Sequence, residues 1–474
     1  MLAPARIALA ALVLVACGDP AAPAGEAGGG ETTSEGSSGA PTSAGEGAGG
    51  TTAGAAETGG EGTAGATLGT TGEATTGAIG CDAEAVVERG FFAEATAPKG
   101  VVLAACGEDR WYFAAPSEST VEVTLTRTDG QPLTAAIVYP DEPPGEVWTA
   151  GLTAPLSSDE LPASVVFPVP RSGEFAVHVD GLADELPATY DLAIRCVLGC
   201  ERETTRFPIV LVHGWTGWDA VGPLTYFYGV ADELAALGYP LHVVQLDPYN
   251  HSNVRAGQLA DQLDDVLPVW RARKVDLIGH SQGGIDSRAA ISTYGYGDRV
   301  SALITIGSPH RGTFIADAGL GLAPGPVEDV AGLLLNFLGA VTAQEKSDAI
   351  ASFESLSEAH MVGTFNPANP DDPRVQYVSY TGRTCGALDF LDPRMDCQDL
   401  VDPLIGWSYD ILKSFRGAND GLVTVESAKW GEYRGEMIAD HIDEVGQVLG
   451  VTDLKFDHLE FYRDRARELA GEEH

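Results

Sequence analysis

Cations are scarce in this chain: Lys and Arg total 28 against 68 Asp and Glu, a formal charge of −40 over 474 residues. So negative a surface repels the phosphates of nucleic acid, which excludes a DNA or RNA partner. Long apolar runs are missing as well, since only the first residues hold one and nothing later has the roughly 20 apolar residues of a membrane helix. Cysteine is sparse, seven in all, and the spacings lack the paired C-x-x-C units of a zinc site. From Gly18 to Gly80 there is no Lys, no Arg and no aromatic residue. A stretch dominated by Gly, Ala, Thr, Ser and Glu cannot bury a core. It is expected to act as a flexible tether, about 200 Å long at full stretch and about 40 to 50 Å across as a coil.

What precedes the tether reads as an export signal. Arg6 supplies a charged start, Ile7 to Ala16 an apolar run too short to span a bilayer, and Leu14-Val15-Ala16-Cys17 ends it. Those four residues resemble the bacterial lipobox, in which cleavage exposes a Cys that then carries acyl chains. The expected product is a secreted lipoprotein, membrane-anchored through Cys17 at the bacterial cell surface or outer membrane. Six cysteines remain, an even number suited to disulfides in an exported chain. Cys81, Cys106, Cys196 and Cys200 bracket one region with their pairing open, while Cys385 and Cys397 stand apart at a spacing that can close a local loop.

The composition divides the chain into a signal (1–16), the lipidated Cys and linker (17–80), an all-β region (81–200) and an α/β region (201–474). In the third part short alternating runs such as Val121 to Thr126, Phe175 to Val179 and Tyr190 to Ile194 are separated by Gly, Pro and Asp turns. Several short strands without helices predict a β-sandwich. The segments around Trp111, Phe175 and Tyr190 resemble the pre-peptidase C-terminal type of sandwich. In the fourth part apolar strands (Phe207 to Val212, Leu241 to Leu246, Val275 to Ile278, Val300 to Ile306) alternate with helical stretches (Tyr226 to Leu237, Val254 to Val269, Phe456 to Leu469). That alternation predicts a parallel sheet covered on both faces.

The chemistry concentrates at Gly279-His280-Ser281-Gln282-Gly283, a G-x-S-x-G directly after a strand and directly before a helical stretch. Small residues are needed there because the Ser backbone is strained and its neighbours must leave the substrate's approach open. A Ser hydroxyl becomes a nucleophile only when a positioned His takes its proton and an acid fixes that His. In the fold with this elbow the chain order is Ser, acid, His, which fits Asp420 in Asn419-Asp420-Gly421-Leu422-Val423 and His441 in Asp440-His441-Ile442-Asp443-Glu444. By position alone Asp402, Asp440 or Asp443 serves equally as the acid, and His310, His360 or His458 as the base.

Five motifs in order resemble the true bacterial triacylglycerol lipases (subfamily I): Pro208 to Gly217 around His213-Gly214-Trp215, the Ser281 elbow, Gly307 to Gly312, Asn419 to Val423, and His441 to Val451. The resemblance covers roughly Phe207 to Leu469 and implies an α/β-hydrolase fold with a lid insertion, in which Ser281, Asp420 and His441 form the triad. It also implies backbone N–H donors at Gln282 and Trp215 for the oxyanion; His213 and His310 are read as bracing loops. Trp215 stands where the family more often has Leu. A structural Ca²⁺ follows from the same resemblance, with Asp443 and the carbonyls of Gln447 and Val451 as ligands and Asp402 as the first carboxylate. Between Gly312 and Phe365 an insertion carrying Val330, Leu333, Leu334, Leu335, Phe337, Leu338, Phe353, Leu356 and Met361 resembles the lid. The family's Cys shortly after the triad acid is absent, which leaves Cys385 and Cys397 to pair with each other.

The implied activity is hydrolysis of acylglycerol esters at a lipid interface through an acyl-enzyme, with a folding helper as an implied partner. A phospholipase or polyester hydrolase carrying the same triad is the alternative within that chemistry, and an inactive surface-binding lipoprotein the alternative outside it. The anchor is open to direct test. Mass spectrometry of the native N-terminus should find Cys17 first and acylated, and Cys17→Ser should release the protein from membranes; a mature chain with another first residue and no lipid refutes the anchor.

Overall fold

The computed structural model describes residues 85–92, 97–140, 156–157, 162–181, 186–215, 226–323, 343–390, 397–452 and 455–471. Cys17, the tether, Cys81 and the insertion residues Val330, Leu333, Leu334, Leu335, Phe337 and Leu338 lie outside the described residues.

Strands β1 (Ala85–Phe91), β2 (Val101–Leu103), β3 (Gly107–Ala115), β4 (Thr120–Gly130), β5 (Leu133–Val138), β6 (Leu156–Ser157), β7 (Ala163–Pro168), β8 (Gly173–Gly181) and β9 (Ala188–Leu198) form two sheets. One has the order β1-β3-β8-β5-β6 and the other β2-β9-β4-β7. All pairings are antiparallel except β1 with β3. The alternation along β4 sends Val121, Val123 and Leu125 into a core shared with Phe175, Val177 and Val179 of β8 and with Leu192 and Ile194 of β9. That is the sandwich the alternating runs predict. Buried at the edge of this core, Asp109 is held by Arg89 at 2.8 Å and by the Tyr190 hydroxyl at 2.6 Å, and the Trp111 indole donates to Tyr190 at 2.8 Å. A disulfide joins Cys196 to Cys200, and Cys106 is also disulfide-bonded.

The second part is a six-stranded parallel sheet in the order β11-β10-β12-β13-β14-β15. Its strands are β10 (Ile209–Val212), β11 (Leu241–Val243), β12 (Val275–His280), β13 (Val300–Ile306), β14 (Gln376–Gly382) and β15 (Glu432–Met437). The helices that matter for the site are α1 (Val230–Leu237), α2 (Ser252–Trp270), α3 (Gln282–Ser292), α4 (Phe314–Gly319), α5 (Ala343–Leu356), α6 (Gly406–Arg416) and α7 (His458–Gly471). Successive strand residues point to opposite faces, so one strand feeds two cores. Val210, Val212 and Leu277 meet Leu259, Leu263 and Val266 of α2 and Ile285 of α3. Ile209, Leu211 and Ile278 meet Val230 and Leu234 of α1 and Tyr462 and Ala466 of α7. Burial on both sides is why these strands read as unbroken apolar runs. The chain therefore has the α/β-hydrolase arrangement with an N-terminal sandwich.

One expectation needs correction. Leu356 and Met361 belong to the core beneath α2 and α3, with Phe353 packed against it, so this end of the insertion is structural and not the underside of a lid.

The two parts meet across ion pairs at the N-terminal edge of the parallel sheet. Glu174 of β8, whose side chain is 1% exposed, binds Arg206 at 2.5 Å and Arg273 at 3.1 Å. Arg273 also stacks 3.7 Å over the Tyr112 ring, and Arg271 4.1 Å over Tyr139. Arg273 precedes β12 whereas Ser281 follows it, so the sandwich joins the sheet about 20 Å of strand away from the elbow. Removing the shared acid strands two guanidinium groups: Glu174→Ala should lower stability by about 2 to 3 kcal/mol. Arg195→Ala at the exposed Glu122 pair should cost less than about 1 kcal/mol. Equal losses in urea unfolding would contradict a buried interdomain lock.

Candidate active site

Strand β12 ends at His280, and Ser281 turns the chain into α3 with φ 55° and ψ −129°. A non-glycine residue in such a conformation stores about 1 to 3 kcal/mol and persists only if its surroundings over-determine it. They do. The Ser281 N–H donates to the Ile306 carbonyl of β13 at 2.9 Å. A Cβ on Gly283 would stand 2.2 Å from the Val212 carbonyl oxygen, and one on Gly214 would stand 2.6 Å from the Ser281 Cβ. These glycines let β10, the loop after it and the elbow close on one another.

The expected acid and base come together. His441 Nδ1 lies 2.9 Å from Asp420 Oδ2, and the His441 N–H donates to the Asp420 carbonyl at 2.8 Å. The other carboxylate oxygen of Asp420 accepts the N–H groups of Leu422 and Val423 at 2.8 and 2.7 Å. Thus one oxygen shapes the turn and the other holds the imidazole. Because a carboxylate only accepts, Nδ1 carries the hydrogen and Nε2 is left as the basic nitrogen. The His441 ring lies 4.6 Å from that of His280, the neighbour of Ser281. Of the positional alternatives, His310 bonds Thr305 at 3.0 Å and stacks on Trp430, and His458 bonds the Tyr228 carbonyl at 2.8 Å.

Glu444 and Arg255 escaped the sequence reading as site members. Glu444 is fully buried, with Oε2 2.8 Å from His280 Nε2 and 3.7 Å from His441 Nδ1. Burial, and then the charges of Asp420, Asp440 and Asp443, push its carboxyl well above the usual range. His280 is driven well below the ordinary imidazole value by burial and by His441, and its Nδ1 meets the Tyr226 hydroxyl at 2.7 Å. A sign of Glu444 was its spacing three residues after the base. Arg255 of α2 gave no such sign, being a cation in an otherwise ordinary amphipathic helix. It is fully buried, paired with Asp286 of α3 at 2.7 Å, and donates to the carbonyl of His213 at 2.6 Å and that of Gly214 at 3.3 Å. Burial raises Asp286 to about 6 against the pull of Arg255. By claiming these carbonyls, Arg255 fixes the direction of the peptide planes leading to Trp215.

Gln282 follows Ser281 in the elbow, and Trp215 follows Gly214, which lies against the Ser281 side chain. Gln282 opens α3, so its N–H is among the free donors of a helix N-terminus, and its own side chain is fully buried. The Trp215 indole packs on Tyr249 and Phe353, with ring centroids 5.5 and 5.1 Å apart. His213 braces the loop, accepting the Leu246 N–H at Nε2 over 2.9 Å and approaching the Gly214 carbonyl through Nδ1 at 2.9 Å. Burial and Arg255 hold its pKa down to about 3.

The carboxylates around the base differ from expectation. Asp399, Asp440 and Asp443 are buried and their oxygens lie within 4.8 Å of one another. Asp402, expected as the first carboxylate beside Asp443, is not in that group; its Oδ1 accepts the Leu404 N–H at 2.9 Å and its N–H donates to Asp440 at 2.6 Å. Asp399 takes its place because the Cys385–Cys397 disulfide and the Cys385 N–H bond to the Asp399 carbonyl at 3.2 Å bring that segment in. Asp440 is occupied by the turn itself, accepting the N–H groups of Ile442 and Asp443 at 2.9 and 2.8 Å. Gln447 and Val451 follow in the same run of turns, their N–H groups bonded to the Ile442 and Val448 carbonyls at 3.1 and 2.9 Å. An all-oxygen set of mutually repelling carboxylates fits a hard divalent cation.

The chain is similar to several known proteins. Residues 208–340 match the family model described as palmitoyl protein thioesterase. Over 289 residues the chain is 33% identical to a triacylglycerol lipase of Vibrio cholerae serotype O1, covering 56% of this chain and 88% of that protein. It is 27% identical over 328 residues to a triacylglycerol lipase of Burkholderia plantarii, covering 59% of this chain and 90% of that one. Among solved structures, the mature form of the Bacillus licheniformis lipase BlEst2 is 24% identical with a TM-score of 0.39, over 51% of this chain and 86% of that chain.

Proposed function

The chain belongs to the triacylglycerol lipases and is a lipase or esterase of the serine hydrolase type; from that premise we propose that it hydrolyses acylglycerol esters through an acyl-enzyme on Ser281. The observation that carries this reading is the His441–Asp420 bond of 2.9 Å beside a strained Ser281. Ser281 Oγ attacks the ester carbonyl while His441 Nε2 takes its proton, and the C–O bond to the alcohol breaks as that proton passes to the leaving oxygen. Water then repeats the sequence on the acyl-serine. During both steps the N–H groups of Gln282 and Trp215 receive the charge on the carbonyl oxygen. Secretion and anchoring through Cys17 belong to the same proposal, supported by the lipobox and tether, and carry the enzyme to lipid esters at a surface.

Ca²⁺ is the proposed structural cofactor, with Asp443 and Asp399 as carboxylate ligands and the Gln447 and Val451 carbonyls completing the set. The ion would relieve carboxylate repulsion in the loop that starts at His441. The chain's own contribution is mechanical: Ile442 packs with Val401, Ile405 and Tyr409, tying the base loop to the Asp399 segment.

Ser281→Ala should lower ester turnover by about 10⁵- to 10⁶-fold with the fold intact, and a fluorophosphonate should label the wild type alone; persistent labelling of the variant moves the nucleophile elsewhere. Rates on triacylglycerols, phospholipids, polyesters and acyl thioesters, taken in parallel, choose among substrates that share this triad. For calcium, exhaustive chelation should lower melting temperature and activity together, with Ca²⁺ restoring both better than Mg²⁺, whose octahedral demand suits such a loop poorly. Asp443→Asn should blunt that response more than Asp402→Asn. Unchanged melting and activity in protein verified metal-free by elemental analysis rules the ion out.

A further inference from the structure

Both residues proposed to carry the oxyanion donors are held through their side chains by one helix, α5. Gln282 and Ser352 are completely buried, and the Ser352 hydroxyl donates to Gln282 Oε1 at 2.9 Å. The amide's other end donates to the Asn250 carbonyl at 2.9 Å and to Ser252 Oγ at 3.2 Å. A carbonyl can only accept, so Nε2 must face Asn250 and Oε1 must face Ser352. The next residue along α5, Phe353, packs its ring 5.1 Å from the Trp215 indole, and Ala349 one turn earlier joins Trp215 and Tyr249 in a small apolar cluster. Ala349, Ser352, Phe353 and Leu356 follow the i, i+3, i+4, i+7 spacing of one helix face. Ser355, also buried, ties that face further by donating to the Ser352 carbonyl at 2.8 Å.

We propose that Ser352 is a positioning residue for the oxyanion hole and that α5, through Ser352 and Phe353, sets Gln282 and Trp215 in register with each other. The two donors come from different loops, after β10 and after β12, and a tetrahedral oxygen needs both at about 2.7 to 3.1 Å from its position. Gln282 is fixed along the chain by the elbow, and its side chain adds a lateral hold through Ser352, Asn250 and Ser252. Without the Ser352 hydroxyl, Oε1 loses a buried donor, and the amide is driven to rotate toward another one and to draw the first residue of α3 with it. Ground-state binding does not feel this displacement. The transition state does.

This inference rests on the reading of Ser281 as nucleophile with Gln282 and Trp215 as oxyanion donors. The test is steady-state hydrolysis of p-nitrophenyl butyrate by the full chain. Ser352→Ala should lower kcat by about 10- to 100-fold with KM within about threefold, and should weaken inhibition by an alkyl boronic acid, whose adduct occupies the oxyanion site, by a similar factor. Ser352→Thr, which keeps the hydroxyl, should recover most of kcat. Melting temperatures are read beside Ser379→Ala, which removes a buried β14 hydroxyl bonded to Trp430 at 2.7 Å and should cost stability without lowering kcat more than about twofold. If Ser352→Ala does not fold, Phe353→Leu carries the test from the Trp215 side, with kcat about 10-fold lower and KM held. Wild-type kcat in a folded Ser352→Ala, or a loss confined to KM, overturns the positioning role. Turnover retained by Ser281→Ala overturns instead the reading on which it rests.

Discussion

The backbone of Ser281, held at φ 55° between a buried strand and a helix, is the constraint on which the rest of the structure depends. A conformation that costs about 1 to 3 kcal/mol must be imposed from outside. Here β13 takes its N–H, and the absence of side chains at Gly214 and Gly283 lets the neighbouring strand and loop close in. Two cores, one on each face of the sheet, pack β12 from both sides. The same turn aims the free N–H groups of α3 at the place where a carbonyl oxygen would become charged.

Around that point the molecule carries an excess of buried acid and disposes of each group differently. Asp420 is committed to one imidazole and two backbone N–H groups. Asp286 answers the buried guanidinium of Arg255, which in turn orients the loop before Trp215. Glu444 is held toward its neutral form by burial and by its acidic neighbours, so it can lie beside His280 and His441 without adding a full charge. Asp399 and Asp443 are the pair that an oxygen-seeking cation would join. Low dielectric magnifies each of these choices, because an uncompensated buried charge costs several kcal/mol.

Among the described residues, the sandwich meets the parallel sheet away from this site. Its contacts through Glu174, Arg206 and Arg273 are at the N-terminal edge of the parallel sheet, whereas the elbow and the loops bearing Asp420 and His441 lie at the other.

Local patterns in the sequence determined a great deal. Apolar runs over β10, β12 and β13 marked strands buried on both faces, the alternation over β4 and β8 marked a sandwich, and the strand, G-x-S-x-G and helix in succession marked the elbow. The edge strand β15 was not legible, because Glu432, Tyr433 and Glu436 stay exposed and leave no apolar period. Nor was β1, where Gly90 interrupts the register with β3. The site divides the same way. Ser281, Asp420 and His441 could be ordered along the chain, but spacing left Asp402, Asp440 and Asp443 as equal claimants to the acid, and only the folded loops brought Asp420 to His441. Asp399, and not Asp402, converges on Asp440 and Asp443, in a segment held by the Cys385–Cys397 disulfide and a backbone bond from Cys385. Arg255 reaching the loop before Trp215, and Ser352 reaching Gln282, span 42 and 70 residues of sequence. Contacts of that separation leave no periodic trace, since they depend on which helix face a sheet presents to which loop. Sequence determined the nucleophile's turn and the order of its partners; tertiary packing alone decided which carboxylates converge and which side chains meet Gln282 and Trp215.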